Sequence, residues 1–540
     1  MEDYILDALY MNHIELFAGC GGLSLGLETA GFDLIMANEL SPMASDTFAR
    51  NILNVNLAEQ SNIDKILWIS SRYQREDIQK RFRENPIVAA GLTEEHHSDL
   101  KNNHLSDEQL DRSLLVGSIA DLNKLLVDDN AGLLARLKNG LGRGGIDLIS
   151  GGPPCQSFSM AGLRDHLNQR NALPWEFAKF VGMLQPKIAL LENVSGILRA
   201  FDIDGVKRFA WHEVAKAFAN VGYIPLCLHI NAKYVGAAQN RPRFILIALR
   251  IDIYTQLEDR MPDEPLLKAL QSAKIFVDRV QRGDDAEVGT IKYFDIEKDH
   301  AIFSSGPLAP LLTHNKGQLV SVEEAIDDLR STDLGHSSYV ENINQLFCNF
   351  HSFELNKLTN HEFRANGPKV RARFRLNQVL NKLDAINARK LKNYIKYVDG
   401  AQLDRFLLKE VAKYWLVDID GTILKKGTQK QIASLLEALR TRKHSQRALK
   451  ANRPAPAVLG CPDDTSHYYE SENTQRTLTV RELARIQSFP DWYEFKSKVT
   501  TGGQNRKFEV PQYTQVGNAV PPLLGRALGR VCAKLLNTCE

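Results

Sequence analysis

The stretch from residue 13 to residue 50 most constrains the fold, because it alternates apolar runs with a glycine-rich break and helical spacing. "HIELF" is typical of a strand, "AGCGG" interrupts it, and "LSLGLETAG" has helical spacing that ends at Gly31. "FDLIMANEL" then predicts a second strand that ends near Glu39. The runs "IDLIS", "IALLENV" and "RFILIALR" continue this alternation to about Arg250. Repeated βαβ units predict an α/β fold with a mostly parallel, doubly wound sheet.

The turn "FAGCGG" (Phe17 to Gly22) follows the first predicted strand and opens a helix. Glycines let a backbone approach a ligand closely, and a helix N-terminus favours negative groups. Glu39, at the end of the next strand, suits the diol of a ribose. The glycines are spaced GxGG and not GxGxxG, which disfavours a nicotinamide or flavin dinucleotide.

The segment "GGPPCQSFS" (Gly151 to Ser159) places a cysteine directly after two prolines. Prolines end a strand, so Cys155 is carried on a stiff loop at a strand's carboxyl end, where α/β sheets bind ligands. The alternative is a small apolar residue that fills a gap in the core. The local sequence does not separate these two interpretations.

Two further segments bring charge to predicted strand ends. "LENV" puts Glu192 where a carboxyl group needs a partner or ligand, unless it is an ordinary helix N-cap. "QNRPR" puts Arg241 and Arg243 at alternate positions, which project to one face of an extended chain. Such arginines suit phosphate or carbonyl recognition, and a pair of surface salt bridges is the alternative.

Charge is unevenly distributed along the chain. The formal net charge is +2, but residues 356–453 hold 23 Lys+Arg against 8 Asp+Glu, so the rest carries +2 less +15, about −13. A basic block predicts a polyanion partner, with a solvated helical surface as the alternative. Seven scattered cysteines without a CxxC pair predict reduced thiols and no structural metal. Apolar runs are shorter than the roughly 20 residues of a membrane span, and the acidic start does not match a secretory signal.

Six blocks occur in order: "HIELFAGCGGLSLGLETAGF", "GGPPCQSFSMAG", "LENVSGIL", "QNRPRFILIAL", "LTVRELARIQSFPD" and "QVGNAVPP". Together they resemble the motif set of the DNA (cytosine-5)-methyltransferase family, of the prokaryotic restriction-modification type. The resemblance implies a Rossmann-like, S-adenosylmethionine-dependent methyltransferase domain and a separate, mixed target-recognition domain. We expect a catalytic domain over 1–255 with an insertion at about 57–115, a connecting region over 256–350, a basic recognition domain over 351–472, and a C-terminal return over 473–540 that completes the catalytic domain.

The same resemblance implies roles for individual residues. Cys155 would be the nucleophile that adds to C6 of a flipped-out cytosine, so that C5 can attack the methyl group of S-adenosyl-L-methionine. Glu192 would contact the cytosine ring at N3 and N4, Arg243 would hold the target nucleotide, and Arg241 would lie near the DNA backbone. The implied cofactor contacts are Phe17, Ala18, Gly19, Gly21, Gly22, Glu39, Ser118, Pro154 and Asn518.

One departure from the family pattern concerns the cofactor. Ser118 stands where the family usually has an aspartate that accepts from the adenine amino group, and serine is a weaker substitute. No group that makes or breaks bonds is missing.

The implied function is site-specific methylation of cytosine C5 in double-stranded DNA, in restriction-modification or phage defence. A cognate restriction endonuclease or defence-system proteins are expected partners, with no membrane, no metal and a cytoplasmic, nucleoid-associated location. "GPKVRARFRLNQ" and "RTRKHSQRALK" are the candidate DNA-facing stretches. The alternatives are a transfer-RNA cytosine-5 methyltransferase, and an inactive DNA-binding paralogue, against which the intact set Cys155, Glu192 and Arg243 argues.

Overall fold

A computed structural model describes residues 11–539 apart from 57–60, 87–95, 102–104, 129–130, 155–172, 204–205, 331–334, 349–357, 444, 459, 463–464 and 472–474. The strands in chain order are β1 (Met11–Leu16), β2 (Phe32–Glu39), β3 (Ile66–Trp68), β4 (Ser113–Val116), β5 (Leu148–Gly151), β6 (Ile188–Val194), β7 (Ala200–Ile203), β8 (Val206–Phe209), β9 (Tyr223–Asn231), β10 (Gln239–Asn240), β11 (Pro242–Arg250), β12 (Tyr293–Asp295), β13 (Leu416–Val417), β14 (Ile423–Leu424), β15 (Arg447–Ala448), β16 (Ala455–Pro456) and β17 (Thr465–Ser466).

The α-helices in chain order are α1 (Gly22–Glu28), α2 (Pro42–Ile52), α3 (Ile78–Arg81), α4 (Asp107–Leu110), α5 (Ile119–Asp128), α6 (Ala131–Lys138), α7 (Leu173–Leu184), α8 (Ala210–Asn220), α9 (Ile251–Arg260), α10 (Pro265–Arg282), α11 (His300–Phe303), α12 (Val322–Ile326), α13 (Ser338–Leu346), α14 (Pro368–Leu380), α15 (Ala385–Ile395), α16 (Arg405–Val411), α17 (Gln429–Ala438), α18 (Val480–Ile486), α19 (Gln512–Asn518) and α20 (Pro522–Cys539). None of the described helices combines the length and the hydropathy that a membrane span requires.

Nine strands form one sheet in the order β12-β9-β11-β6-β5-β1-β2-β4-β3. Neighbours pair in parallel except at β11, which runs antiparallel to both β6 and β9. The predicted α/β, mostly parallel sheet is therefore confirmed. The chain proceeds outward from β1 in one direction through β2, and from β5 in the other through β6. The sheet thus has its topological switch point between β1 and β5, where α/β folds bind ligands.

The last helix packs against the first. Gly26 of α1 and Gly525 of α20 permit this close approach, because a Cβ on Gly26 would lie 2.4 Å from the amide nitrogen of Arg526. Leu524, Leu528 and other apolar residues of α20 belong to the core beneath the sheet. The C-terminal helix therefore packs into the core of the sheet domain.

The predicted insertion is more sheet-like than its polar sequence suggested. β3 lies inside it and pairs in parallel with β4, so the insertion adds an edge strand to the main sheet. Ile66, Leu67 and Trp68 are buried although polar residues surround them in sequence. The short apolar run acquires its strand structure from pairing with β4, which local sequence does not reveal.

The expected boundary at residue 255 does not coincide with the edge of the core. Helix α10 contacts α8 and β9, and β12 pairs with β9 as a further edge strand of the same sheet. Leu308 and Leu311 still belong to this core. Apolar residues such as Val322, Ile326 and Phe347 instead join a second cluster, which also contains residues of the segment 478–519 and of strands β2 and β4.

The basic block contains a small apolar cluster of its own. Helices α14 to α17 and the hairpin β13–β14 supply it, with Val379, Leu391 and Leu436 among its buried members. Arg375, inside a stretch expected to face DNA, is instead buried: it pairs with Glu470 at 2.9 Å and lies 3.7 Å from the centre of the Trp415 ring. That contact assigns Arg375 to packing within the block.

Candidate active site

The predicted site residues meet at one edge of the sheet because parallel strands end there together. β1 leads into the glycine turn, β5 leads into Gly152–Pro154, and Glu192 lies near the end of β6. β11 runs the opposite way, so its start reaches the same edge, where Arg243 pairs in register with Val194. The two sides of the switch point therefore bring the glycine turn and the proline loop together.

The glycine turn is packed tightly on one side and open on the other. Gly21 has φ +87°, and a Cβ there would lie 2.8 Å from the Tyr493 hydroxyl and 3.1 Å from Phe48. The hydroxyl of Tyr493 also donates to the carbonyl of Cys20. At Gly19, with φ +57°, the nearest atom to an added Cβ is 4.0 Å away. The open space beside Gly19 fits the close approach of a ligand.

Glu39 joins the second strand to this turn. Its carboxylate accepts from the amide of Gly19 at 2.8 Å and from the amide of Ser41 at 2.7 Å. Burial raises the pKa of Glu39, while these two amides oppose the rise. A carboxylate has about four acceptor positions, so it retains capacity for a ribose diol.

The end of β4 lies beside the end of β2. Asn38 donates to the carbonyls of Leu115 at 2.9 Å and Gly117 at 3.1 Å, which fixes this spacing. Ser118 follows, and its hydroxyl accepts from the amide of Ala120 at 3.2 Å, at the start of α5. Ser118 therefore caps the chain entering the helix and lines a cleft that also contains Leu40.

Glu192 and Arg243 form a close ion pair, with 2.5 Å between Oε1 and Nε. Gly152 packs against this carboxylate, since a Cβ on Gly152 would lie 3.1 Å from Glu192 Oε2. Asn193 donates to the carbonyl of Pro153 at 3.0 Å, so it shapes the proline loop. Pro154 is exposed at the end of this loop.

Cys155 follows Pro154 directly and lies outside the described residues, so its role stays a prediction. What the structure describes is the approach to it: a loop held by Asn193, with the Glu192 carboxylate against Gly152.

Arg241 differs from its expected role at the DNA backbone. Its guanidinium is buried and donates to the carbonyls of Gly517 at 2.9 Å and Ala519 at 3.0 Å. These carbonyls flank Asn518, which is exposed. A buried guanidinium requires hydrogen-bond acceptors. The spacing of Arg241 and Arg243 suggested DNA phosphates as acceptors, but main-chain carbonyls take this role for Arg241. Arg241 positions the segment that carries Asn518.

Two residues that contribute to the site, Tyr493 and Gly152, were not predicted from the sequence. Tyr493 supports the glycine turn from more than 470 residues away, and nothing in "DWYEF" indicates this contact. Gly152 had a visible signal, since it stands in the same glycine pair as Gly151. Within the described part of the chain, no three His, Cys, Asp or Glu side chains are grouped as metal ligands.

The chain is similar to known proteins over most of its length. A family model described as C-5 cytosine-specific DNA methylase matches residues 11–77 and 136–534. The type II methyltransferase M.DdeI of Desulfomicrobium norvegicum is 26% identical over 521 residues, covering 96% of this chain and 87% of that protein. The type II methyltransferase M1.HphI of Haemophilus parahaemolyticus is 24% identical over 543 residues, covering 100% and 91%.

Among solved structures, a protein described as a DNA modification methyltransferase encoded within a prophage (E. coli) is 20% identical with a TM-score of 0.42, and the match covers 98% of this chain and 99% of that one. The family model alone spans well over half of this sequence, and it includes the glycine turn, the proline loop, Glu192 and Arg243. The chain therefore belongs to the C-5 cytosine-specific DNA methylase family.

Proposed function

We propose that this protein transfers a methyl group from S-adenosyl-L-methionine to C5 of cytosine at a specific sequence in duplex DNA. The observation that supports this most is the pairing of Arg243 with Glu192 beside Gly152, three residues before Cys155. This group shares its sheet edge with the glycine turn, so a nucleoside-type donor and a base would lie next to each other. The open face of Gly19 and the carboxylate of Glu39 fit the donor.

In the proposed reaction the Cys155 thiolate adds to C6 of the cytosine, and the ring electrons move to C5. Glu192 contacts N3 and N4, which offsets the charge that enters the ring. Arg243 holds the Glu192 carboxylate in place. The donor would supply an electrophilic methyl group, which C5 attacks as the sulfur–methyl bond breaks and S-adenosyl-L-homocysteine leaves. Loss of the C5 proton to a base then expels the Cys155 thiolate and restores the aromatic ring.

A cytosine inside a duplex has to be flipped out, which costs a few kcal/mol. We assign residues 351–472 to target recognition, because phosphate contacts from its basic block can offset that cost. Lys426, Lys430 and Arg442 are exposed members of the block. The logarithm of the DNA-binding constant falls linearly with the logarithm of the salt concentration. Changing all three residues to Gln should make this slope shallower by roughly 0.9 for each phosphate that the variant no longer neutralises. The control changes three exposed basic residues of α10, Lys268, Arg279 and Arg282, and should leave the slope unaltered.

The relatives named above are type II methyltransferases, so we further propose a role in restriction-modification or phage defence, with a cognate endonuclease as partner. Such a role places the protein with DNA in the cytoplasm. The proposed chemistry uses the thiolate, Glu192 and Arg243, and requires no metal.

Transfer of a tritiated methyl group tests the proposal directly. We expect transfer to duplex DNA by the wild type, no transfer by Cys155→Ser, and retained DNA binding by that variant. Bisulfite sequencing of DNA from cells that express the chain should show one methylated sequence context. Preferential transfer to transfer RNA would contradict the proposed substrate, and full activity of Cys155→Ser would contradict the covalent mechanism.

A further inference from the structure

A cleft opens at the carboxyl ends of β2, β4 and β3, and two parts of the chain line it. The sheet domain supplies Leu40, Gly117 and Ser118, which follow β2 and β4. The insertion supplies Trp68, Ser70 and Glu84. The family model matches residues 11–77, which include Trp68 and Ser70, and does not match residues 78–135, which include Glu84.

The edge strand explains why the insertion reaches this cleft. β3 is parallel to β4, so both strands end at the edge of the sheet that carries the site. The pairing continues past β3, since the amide of Ile69 donates to the carbonyl of Val116 at 2.9 Å. Gly117 permits this approach, because a Cβ there would lie 2.8 Å from the Ile69 Cβ. Ser70 and Ser118 thereby line the same cleft.

Buried charges hold this wall in place. Arg81 is 1% exposed, pairs with Asp99 at 2.7 Å, and lies 5.1 Å from the centre of the Trp68 ring. Asp99 also accepts from the amide of Trp68 at 2.8 Å. A buried ion pair adds little net stability, and its better-attested use is to specify one arrangement. Here the arrangement fixes the end of β3.

A second buried carboxylate fixes the loop that follows β3. Glu84 accepts from the hydroxyl of Ser71 at 2.8 Å and from Nε of Arg72 at 3.0 Å. The segment from Trp68 to Arg72 is therefore held at both ends. Such pre-organisation suits a ligand-facing wall, because less ordering is required when a ligand binds.

We propose that the insertion forms the outer wall of the cofactor pocket beside Ser118, with Trp68 and Ser70 as residues that determine cofactor affinity. This inference rests on the proposed function, which places S-adenosyl-L-methionine along the glycine turn and Glu39. Ser118 lines the cleft from the sheet domain, and Trp68 and Ser70 line it from the insertion.

Intrinsic fluorescence and calorimetry of the full chain test the inference without a turnover assay. Titration with S-adenosyl-L-methionine should change the fluorescence of the wild type, and Trp68→Phe should lose most of that change. Phenylalanine at this position preserves an aromatic ring against Phe82 and Arg81. The matched control is Trp211→Phe, whose buried indole lies on α8 and which should keep the wild-type response.

Ser70→Phe should narrow the cleft and weaken cofactor binding at least tenfold by calorimetry, with unchanged DNA binding. If Ser70→Phe does not fold, the fluorescence responses of Trp68→Phe and Trp211→Phe to the cofactor test the inference. The inference is overturned if Trp68→Phe retains the full fluorescence response, or if a folded Ser70→Phe binds the cofactor as the wild type does. Failure of the wild type to bind the cofactor at all would instead contradict the proposed function.

Discussion

The guanidinium of Arg243 lies 2.5 Å from the carboxylate of Glu192, and each of these side chains is 11% exposed. The pair joins β11 to β6 across an antiparallel register at the edge of the sheet. Two charges removed from water in this way depend on each other, since removal of one leaves the other buried and unpaired. The pair therefore links stability to the chemistry of the site.

Arg243→Ala should lower the free energy of unfolding by about 3 kcal/mol, because it leaves the Glu192 carboxylate unpaired. The matched control is Arg250→Ala at the other end of the same strand. Arg250 pairs with Asp252 at 2.6 Å, but the two side chains are 29% and 51% exposed. Its removal should cost about 1 kcal/mol or less. Chemical denaturation measures both variants. Equal decreases in unfolding free energy would show that burial does not determine how much each ion pair contributes to stability.

Glu192→Gln is nearly isosteric, so it should preserve packing beside Gly152, but it leaves the Arg243 guanidinium without an opposite charge and should lower the free energy of unfolding. Removal of a group that assists proton transfer or charge neutralisation typically reduces a rate by about 10² to 10⁴. We expect this reduction in single-turnover methyl transfer, with cofactor affinity unchanged by calorimetry. A variant with wild-type turnover would exclude Glu192 from the chemistry.

The two glycines of the turn should respond differently to alanine. Gly21→Ala adds a Cβ 2.8 Å from the Tyr493 hydroxyl at φ +87°, so we expect a decrease of about 2–3 kcal/mol in unfolding free energy. Gly19→Ala at φ +57° meets open space and should cost about 1 kcal/mol through strain alone. It should nevertheless weaken cofactor binding, because the methyl group projects into the ligand's space. Thermal unfolding and calorimetry separate the two effects.

Arg241→Met tests whether this residue supports the C-terminal segment or contacts DNA. The change removes the guanidinium donor from the carbonyls of Gly517 and Ala519, which should destabilise the protein by about 1–3 kcal/mol. Displacement of Asn518 between them should raise the KM for the cofactor more than it lowers kcat. A variant with unchanged thermal stability and weakened DNA binding would instead show that Arg241 contacts DNA, as the "QNRPR" spacing predicted.

Glu15 should give the protein a measurable pH dependence. Burial raises the pKa of this carboxyl from about 4.5 to about 8, so the folded state holds a proton that the unfolded state releases. Stability should therefore fall as pH rises from about 4.5 to about 8, by up to about 1.4 kcal/mol per pH unit. Glu15→Gln should reduce this slope in denaturation measured between pH 5 and pH 8, and the buried Glu28, whose pKa is raised to about 7, accounts for part of what remains. The exposed Glu76→Gln is the control and should follow the wild type.

Sequence alone was sufficient where the signal is local. The apolar runs that became β1, β2, β5, β6 and β11 carry their own periodicity. The capping box at the start of α18 also lies within four residues: Thr479 accepts from the amide of Glu482 at 3.2 Å, and the Thr479 amide donates back to Glu482 at 2.8 Å. The six ordered blocks were enough for the family, because each keeps a short pattern intact.

Tertiary structure decided what depends on distant partners. Arg241 and Arg243 differ by two positions, yet one is held by carbonyls near Asn518 and the other by Glu192. β3 and β12 became strands only by pairing at the two edges of the sheet. Local pattern fixes how a segment can hydrogen-bond and which face is apolar. The acceptor that a buried charge contacts is determined only when segments hundreds of residues apart pack together. The sequence of one segment does not contain this information, because the interaction requires both.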